Sequence, residues 1–407
     1  MIQSFKVIIY VALLSGLCCF SAIASEGRDE LAPEIATADL HFPLREIPVL
    51  DKAFVDVSPA ERNDTIPVGR LGVDAGDKEM IVKLAREMTE NTYGRYDSLL
   101  IAHKGKLIFE SYYSRGRINL PHAQASTTKA YLNLVIGRAI QLGHLTLSDL
   151  DKPLISFFKD LDTKKMVAGT ELITLHKAMT MSSGIKIDRE TWNELRENNP
   201  DSLKGSGQIQ AFLQLSQPIT SQTQVFEYKG FDPFMVMQVL DRVVPGSAKD
   251  FIERELLDKL GITNYNWITD VSGLPRGPSG SSMTSRDMIK WGMLVMNKGK
   301  WRGEPLISEA FITKATHRIV DPGEIFFVAE NVINPGYGYY WWQAEMKVGN
   351  KSYHSRSAQG GSSQYIILIE ELDLIVVTTG HNMADDPERP MTPLQLTAEH
   401  VLPAFIP

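Results

Sequence analysis

A serine and a lysine stand three residues apart in the segment Ser126-Thr127-Thr128-Lys129, directly before an apolar run with helical spacing. Residues three apart on a helix lie on one face, so we expect the hydroxyl and the amino group to be neighbours. A lysine buried at the positive end of a helix can lose its proton near neutral pH and serve as a base. The spacing therefore predicts a serine activated as a nucleophile. The free N–H of Ser126 in the first helical turn is a candidate donor to an oxyanion.

The same spacing occurs a second time, in Ser183-Gly184-Ile185-Lys186. Here the glycine and the β-branched isoleucine predict a turn into an extended segment rather than a helix start. For Ser126 the alternative interpretation is a serine in the first turn of a helix, beside a lysine that is solvated. Spacing alone leaves both interpretations of Ser126 open.

The composition predicts an ordinary globular protein. The chain has 407 residues, of which 43% are hydrophobic and 22% charged, enough for one large core or two subdomains. The formal net charge is -7, and the sequence contains no basic run. A basic surface is the electrostatic signature of nucleic-acid binding, so we expect no nucleic-acid partner.

The first 24 residues have the pattern of a secretory signal peptide. Lys6 precedes an apolar stretch at residues 7–20, and Ala22-Ile23-Ala24 supplies small residues before a cleavage point. A retained membrane anchor is the alternative, but the stretch is short for one. We therefore expect a periplasmic or secreted protein without a stable membrane anchor after cleavage. Both cysteines, Cys18 and Cys19, lie in this segment, so the mature chain would have no disulfide and no cysteine ligand or nucleophile.

Hydrophobic periodicity predicts an α+β fold. Strand-like runs occur near both ends of the chain, with helical signals between them, which favours one antiparallel sheet flanked by helices plus a mainly helical subdomain. The predicted divisions are an N-terminal extension at 25–92, a sheet subdomain at 93–150 and 250–407, and a helical subdomain at 151–249.

A hairpin is predicted where two strand-like runs, at residues 98–103 and 107–112, flank Lys104-Gly105-Lys106. Further strands are predicted at residues 338–343, 351–357, 365–369 and 374–379, and helices at residues 78–90 and directly after Ser126.

Five segments, taken in order, resemble the serine β-lactamase-related hydrolases. This group contains class C β-lactamases, D-alanyl-D-alanine carboxypeptidases, family VIII esterases and 6-aminohexanoate-dimer hydrolases. The segments are the hairpin at 98–111, the serine and lysine motif at 126–129, and residues 173–185, 282–292 and 297–308. The resemblance extends from about Tyr96 to Thr379 and implies a β-lactamase/transpeptidase-like fold with Ser126 as nucleophile and Lys129 beside it.

The resemblance also implies a tyrosine that moves protons between the nucleophile and the leaving group. The matching segment makes Tyr228 the candidate, although a tyrosine buried in the core is the alternative. The family usually has an asparagine two residues later, where this chain has Gly230. Asp232 could take over the role of that amide, or it could simply cap a helix before Pro233.

A third family motif lies on a strand at the edge of the site. Ser357-Ala358-Gln359-Gly360-Gly361 resembles it, with Ala358 where a cationic residue usually stands. The resemblance implies that Gln359, Gly360 and Gly361 line the substrate and that the N–H of Gly361 is the second oxyanion donor.

The sequence lacks a G-x-S-x-G elbow, an H-E-x-x-H motif and a phosphate-binding loop, so it implies no metal and no organic cofactor. The expected function is a secreted or periplasmic serine hydrolase that cleaves a small-molecule ester or amide through an acyl-enzyme on Ser126. The alternatives are a penicillin-recognising enzyme, either a β-lactamase or a D-alanyl-D-alanine carboxypeptidase-like protein, and a non-catalytic binding protein of the same fold.

Overall fold

The structure of the protein, a computed structural model, describes residues 31–40, 44–323, 329–382 and 390–406. The predicted signal peptide and its cleavage point lie outside these residues. None of the helices in the described ranges is both long and apolar enough to cross a membrane.

Antiparallel strands form the main sheet, as predicted. The strands in the described ranges are β1 (Phe54–Asp56), β2 (Tyr96–His103), β3 (Lys106–Tyr112), β4 (His122–Ala123), β5 (Tyr265–Trp267), β6 (Ser281–Met283), β7 (Lys300–Trp301), β8 (Glu304–Pro305), β9 (Val332–Tyr337), β10 (Trp342–Val348), β11 (Lys351–Gly360), β12 (Gln364–Ile369) and β13 (Leu374–Gly380). Eight of them pair in the order β1-β3-β2-β13-β12-β11-β10-β9. The sheet therefore joins strands from the first and last thirds of the chain.

The predicted hairpin is confirmed as β2 and β3. Its turn residues Lys104 and Gly105 have φ values of 48° and 73°, the left-handed conformation that two-residue hairpin turns require. Alternate residues of β2 face two different cores, Leu100 and Ala102 on one side and Leu99 and Ile101 on the other. Both faces of the sheet are covered at this point, and residues 99–102 of the strand are all apolar.

The described α-helices are α1 (Lys78–Thr89), α2 (Thr127–Gln141), α3 (Leu175–Met179), α4 (Arg189–Asn198), α5 (Gly207–Leu215), α6 (Phe231–Val243), α7 (Ala248–Ile252), α8 (Asp258–Leu260), α9 (Ser285–Met296), α10 (Glu309–Thr316) and α11 (Pro393–Leu396). The predicted helices at residues 78–90 and after Ser126 are α1 and α2. Residues 151–249 form helices and loops and contain no strand.

Helix α2 is buried from Thr127 to Ala139 and packs in the core on one face of the sheet. Gly137 allows α10 to approach closely, because a Cβ atom there would lie 2.5 Å from the ring of Phe311. The helix ends at Gln141, and Gly143 turns the chain away with a left-handed φ of 78°. The core therefore holds the start of α2 in a fixed position.

The strand predicted at residues 338–343 is correct only for Trp342 and Gln343, where β10 begins. Gly338, Tyr339, Tyr340 and Trp341 form the turn between β9 and β10, with a left-handed φ of 63° at Tyr340. Tyr339 and Trp341 are buried because this turn packs into the core rather than lying in solvent. An aromatic run of this kind suits a strand and a buried turn equally well, so its composition misleads.

Candidate active site

Ser126 lies at the N-terminus of α2, where the chain leaves the short strand β4. It occupies the N-cap position, and its side chain caps no backbone group. The preceding residue, Ala125, has a left-handed φ of 46°, a conformation that costs a non-glycine residue of order 1–3 kcal/mol and is concentrated at functional sites. The turn leaves Ser126 partly exposed at the start of a buried helix.

Lys129 is the immediate partner of Ser126. Its Nζ lies 2.8 Å from Ser126 Oγ and 2.8 Å from the backbone oxygen of Pro278. The residue is only 4% exposed. Burial, aided by the positive charge of Arg276, lowers the pKa of Lys129 to about 7. At physiological pH a fraction of Lys129 is therefore neutral and can accept a proton from the serine hydroxyl.

Tyr228, in the loop before α6, completes the group that the sequence predicted. The Lys129 Nζ lies 4.8 Å from the centroid of its ring. Burial raises the pKa of Tyr228 to about 12, although the Ser126 hydroxyl acts in the opposite direction. Tyr228 therefore keeps its proton near neutral pH, so it can donate a hydrogen bond or pass a proton on but is not a phenolate base.

An aromatic wall surrounds Tyr228. Its members are Phe226, Tyr337 and Trp342, with ring centroids 5.1 Å apart for Phe226 and Tyr337, 4.6 Å for Tyr337 and Trp342, and 5.4 Å for Tyr228 and Trp342. The neighbouring Trp341 is buried in the core instead. The Tyr228 ring, which packs against this wall, lies beside the Lys129 amine and contributes to the burial that lowers the pKa of Lys129.

The end of β11 packs against the turn that carries Ser126. A Cβ atom on Gly360 would lie 2.3 Å from the backbone oxygen of Gln124, so no larger residue fits there. Strand β10 begins opposite Ser357, so residues 358–360 have β12 on one side and no described strand on the other. The backbone groups of this edge that point away from β12 are therefore not paired with any described strand.

The other predicted residues of this motif, Gln359, Gly361 and Ala358, differ in how exposed they are. Gln359 is partly exposed and its amide donates to Ser357 Oγ at 2.9 Å. Gly361 lies in the exposed turn after β11, where an added Cβ would meet no atom within 4 Å. Ala358 is fully buried in the core. The N–H of Gly361 as oxyanion donor stays a prediction.

Asp232 lies in the first turn of α6, and its carboxylate accepts hydrogen bonds from Ser183 Oγ at 2.5 Å and Ser183 N at 3.3 Å. The alternative that Asp232 caps this helix is wrong, because the N-cap position belongs to Gly230. Burial raises the pKa of Asp232 to about 6. The Ser183 hydroxyl therefore donates its hydrogen bond to a carboxyl group. Lys186, the lysine of the same motif, is exposed to solvent.

Sequence reasoning missed three features of this site. They are the strained Ala125, the carbonyl of Pro278 and the charge of Arg276. Pro278 and Arg276 come from a loop far from Ser126 in the chain, and no local pattern marks them. A hydroxyl, a lysine of low pKa and a protonated phenol together can deliver a nucleophile and return a proton to a leaving group.

A family model described as Beta-lactamase matches residues 86–397. No curated protein matches the chain significantly.

Solved structures have the same fold. A Bacillus anthracis protein described as a 6-aminohexanoate-dimer hydrolase superposes with a TM-score of 0.57 at 17% identity, covering 81% of this chain and 82% of that one. The octameric penicillin-binding protein homologue from Pyrococcus abyssi gives 0.56 at 18% identity, with coverage of 82% and 77%. A class C beta-lactamase gives 0.56 at 14% identity, with coverage of 79% and 95%.

Proposed function

The chain belongs to the Beta-lactamase family, and on that premise we propose that it is a periplasmic or secreted serine hydrolase that cleaves an ester or amide through an acyl-enzyme on Ser126. Family membership confirms the resemblance and the β-lactamase/transpeptidase-like fold class expected from the sequence. The observation that carries the proposal is the 2.8 Å contact between Lys129 Nζ and Ser126 Oγ. The signal-peptide pattern in the first 24 residues supports the location.

Acylation begins with attack of Ser126 Oγ on the carbonyl carbon of the substrate. Neutral Lys129 takes the hydroxyl proton, and the carbonyl oxygen becomes an oxyanion. The N–H of Ser126, which has no acceptor among the described residues, supports this charge, with a second donor from the open edge of β11. When the bond to the leaving group breaks, the proton passes from Lys129 through Tyr228 to the leaving oxygen or nitrogen.

Deacylation repeats the sequence with water as nucleophile. Water attacks the acyl carbon, loses its proton to Lys129, and Ser126 Oγ leaves as the proton returns to it. The low pKa of Lys129 suits both half-reactions, since the group must accept and release a proton near neutral pH.

Covalent labelling tests the proposed function. The protein is incubated with a fluorophosphonate and, separately, with a panel of p-nitrophenyl esters, nitrocefin and short amides, and its intact mass and the released product are recorded. One added label per chain with turnover of an ester or amide is expected. A chain that is neither labelled nor active on any of these compounds would instead favour a non-catalytic binding protein.

The pH dependence of acylation follows from the state of Lys129. Only the neutral amine can act as the base, so kcat/KM for a neutral ester should rise with pH through about 7 and level off above it. Stopped-flow measurement of the first turnover between pH 5 and 9 checks this. A rate independent of pH across that range would remove Lys129 as the base.

Substrate charge should also matter. The family motif usually supplies a cation near a substrate carboxylate, whereas Ala358 is buried and its side chain has no charge and no polar atom. A hydrogen bond to a charged group contributes roughly 1.5–3 kcal/mol, which is about ten- to a hundred-fold in kcat/KM. We expect neutral short-chain esters to exceed nitrocefin by at least tenfold in kcat/KM. Efficient nitrocefin turnover by the wild type would contradict this prediction. Loss of that turnover in Arg276→Ala would then identify Arg276 as the cation that binds the substrate carboxylate.

A further inference from the structure

Two histidines meet one buried carboxylate outside the catalytic group. Asp97 lies on β2, His122 on β4 and His381 directly after β13. His122 Nε2 lies 2.9 Å and His381 Nδ1 2.6 Å from the same atom, Asp97 Oδ2. The donor atoms of the three residues all lie within 4.8 Å of one another. Three distant parts of the chain therefore bring two imidazoles and a carboxylate to one point.

The geometry points to a metal-binding site: we propose that Asp97, His122 and His381 bind a divalent first-row transition-metal ion. Two imidazole nitrogens and one carboxylate oxygen are a ligand set that such ions use, and three positions would stay open to water. At an ion about 2.1 Å from each donor atom, the two nitrogen–oxygen separations of 2.9 and 2.6 Å correspond to angles of roughly 75–90°. Ni²⁺ is a suitable probe because imidazole is among its preferred ligands.

Backbone hydrogen bonds hold the three ligands before any ion binds. The N–H of Arg115 donates to Asp97 Oδ1 at 3.2 Å, and the N–H of His381 donates to the backbone oxygen of Arg95 at 2.8 Å. His122 pairs with Met283 in the small sheet of β4, β6 and β5. Ligands that are fixed in this way lose little freedom when the ion binds, which favours affinity.

The exposure of His381 and the unbonded ring nitrogen of His122 both permit entry of an ion. The side chains of Asp97 and His122 are 0% and 6% exposed, whereas that of His381 is 39% exposed, so the cluster opens to solvent on one side. His122 Nδ1 is buried without a hydrogen-bond partner in the described chain. Moving the His122 proton from Nε2 to Nδ1 therefore breaks no bond except the one to Asp97, and it frees Nε2 to bind the ion.

One nearby charge opposes the ion. The Arg117 guanidinium interacts electrostatically with Asp97, while it donates to the backbone oxygens of Gly116 and Pro48. A fixed positive charge lowers the affinity of a site that has a single carboxylate. We therefore expect reversible binding of one ion rather than a tightly held, permanently occupied centre.

The ion would also connect the sheet to the nucleophile turn, because His122 lies four residues before Ser126. A ligand that binds only the folded state raises the melting temperature by mass action. Saturating Ni²⁺ should therefore raise the melting temperature of the protein by several degrees.

The test uses the full chain without a polyhistidine tag, freed of metal with EDTA and dialysed. Ni²⁺ binding is titrated by calorimetry at pH 7.5, and melting temperatures are recorded with and without the ion. The proteins compared are the wild type, His381→Ala and the control His354→Ala. His354 is an exposed histidine on β11. We expect one ion per chain, at least tenfold weaker binding in His381→Ala, and no change in His354→Ala.

Two results would overturn the proposal. One is the absence of stoichiometric Ni²⁺ binding to the wild type, which would leave the cluster as hydrogen bonds only. The other is unchanged binding in His381→Ala, which would place the ion elsewhere. Copper(II) bound to the wild type gives a second measurement that needs no variant, because its electron paramagnetic resonance spectrum should show two coordinated nitrogens.

Discussion

Replacing Ser126 by alanine is expected to abolish acyl transfer and covalent labelling. Ser126 Oγ is the hydroxyl at 2.8 Å from the Lys129 amine, and the left-handed Ala125 presents it at the start of α2. Removing the nucleophile of a serine hydrolase lowers kcat by about four to six powers of ten. Intact mass after fluorophosphonate treatment, together with initial rates on a p-nitrophenyl ester, measures the loss.

Ser183→Ala is the matched control, because Ser183 has the same spacing to a lysine. This variant should still be labelled. Ser183 Oγ donates to buried Asp232, so its loss should instead lower the free energy of unfolding by roughly 1.5–3 kcal/mol, as expected for a hydrogen bond to a charged group. If Ser183→Ala folds but escapes labelling while Ser126→Ala is labelled, the nucleophile has been assigned to the wrong motif.

Lys129→Ala and Tyr228→Phe should each lower kcat by several powers of ten, and the double variant should lose little more than either alone. The Lys129 Nζ lies 4.8 Å from the Tyr228 ring, and in the proposed mechanism the two groups serve one proton path to and from Ser126. Residues that act as a unit show strongly non-additive effects. Single-turnover rates for the three variants, measured with one ester, give the coupling directly.

The exposed lysine of the second motif provides the control for this cycle. Lys186→Ala removes the same charge outside the catalytic group and should leave kcat unchanged. Losses that multiply in the Lys129→Ala, Tyr228→Phe double variant would show independent action and would exclude Tyr228 from the proton path.

Local spacing was enough to predict the centre of this site. Ser126 and Lys129 are three residues apart on a helix, so their contact depends only on α2 forming, and the apolar run after Lys129 ensures that it does. The β2–β3 hairpin followed for the same reason, since Lys104-Gly105 suits a two-residue turn. Tyr228 was found by resemblance to a family motif, not by spacing.

Tertiary structure decided what surrounds that centre. The Pro278 carbonyl that holds Lys129 is 149 residues away in the chain, and Asp97, His122 and His381 meet only because β2, β4 and β13 converge. Ser183, which has the spacing of a nucleophile, is turned to a buried carboxyl group by the packing of α6. Sequence periodicity shows which face of an element is apolar, but the partner across that face depends on packing between distant segments, which no local pattern contains. The low pKa of Lys129 also depends on tertiary packing, because it results from burial by residues that lie far apart in the sequence.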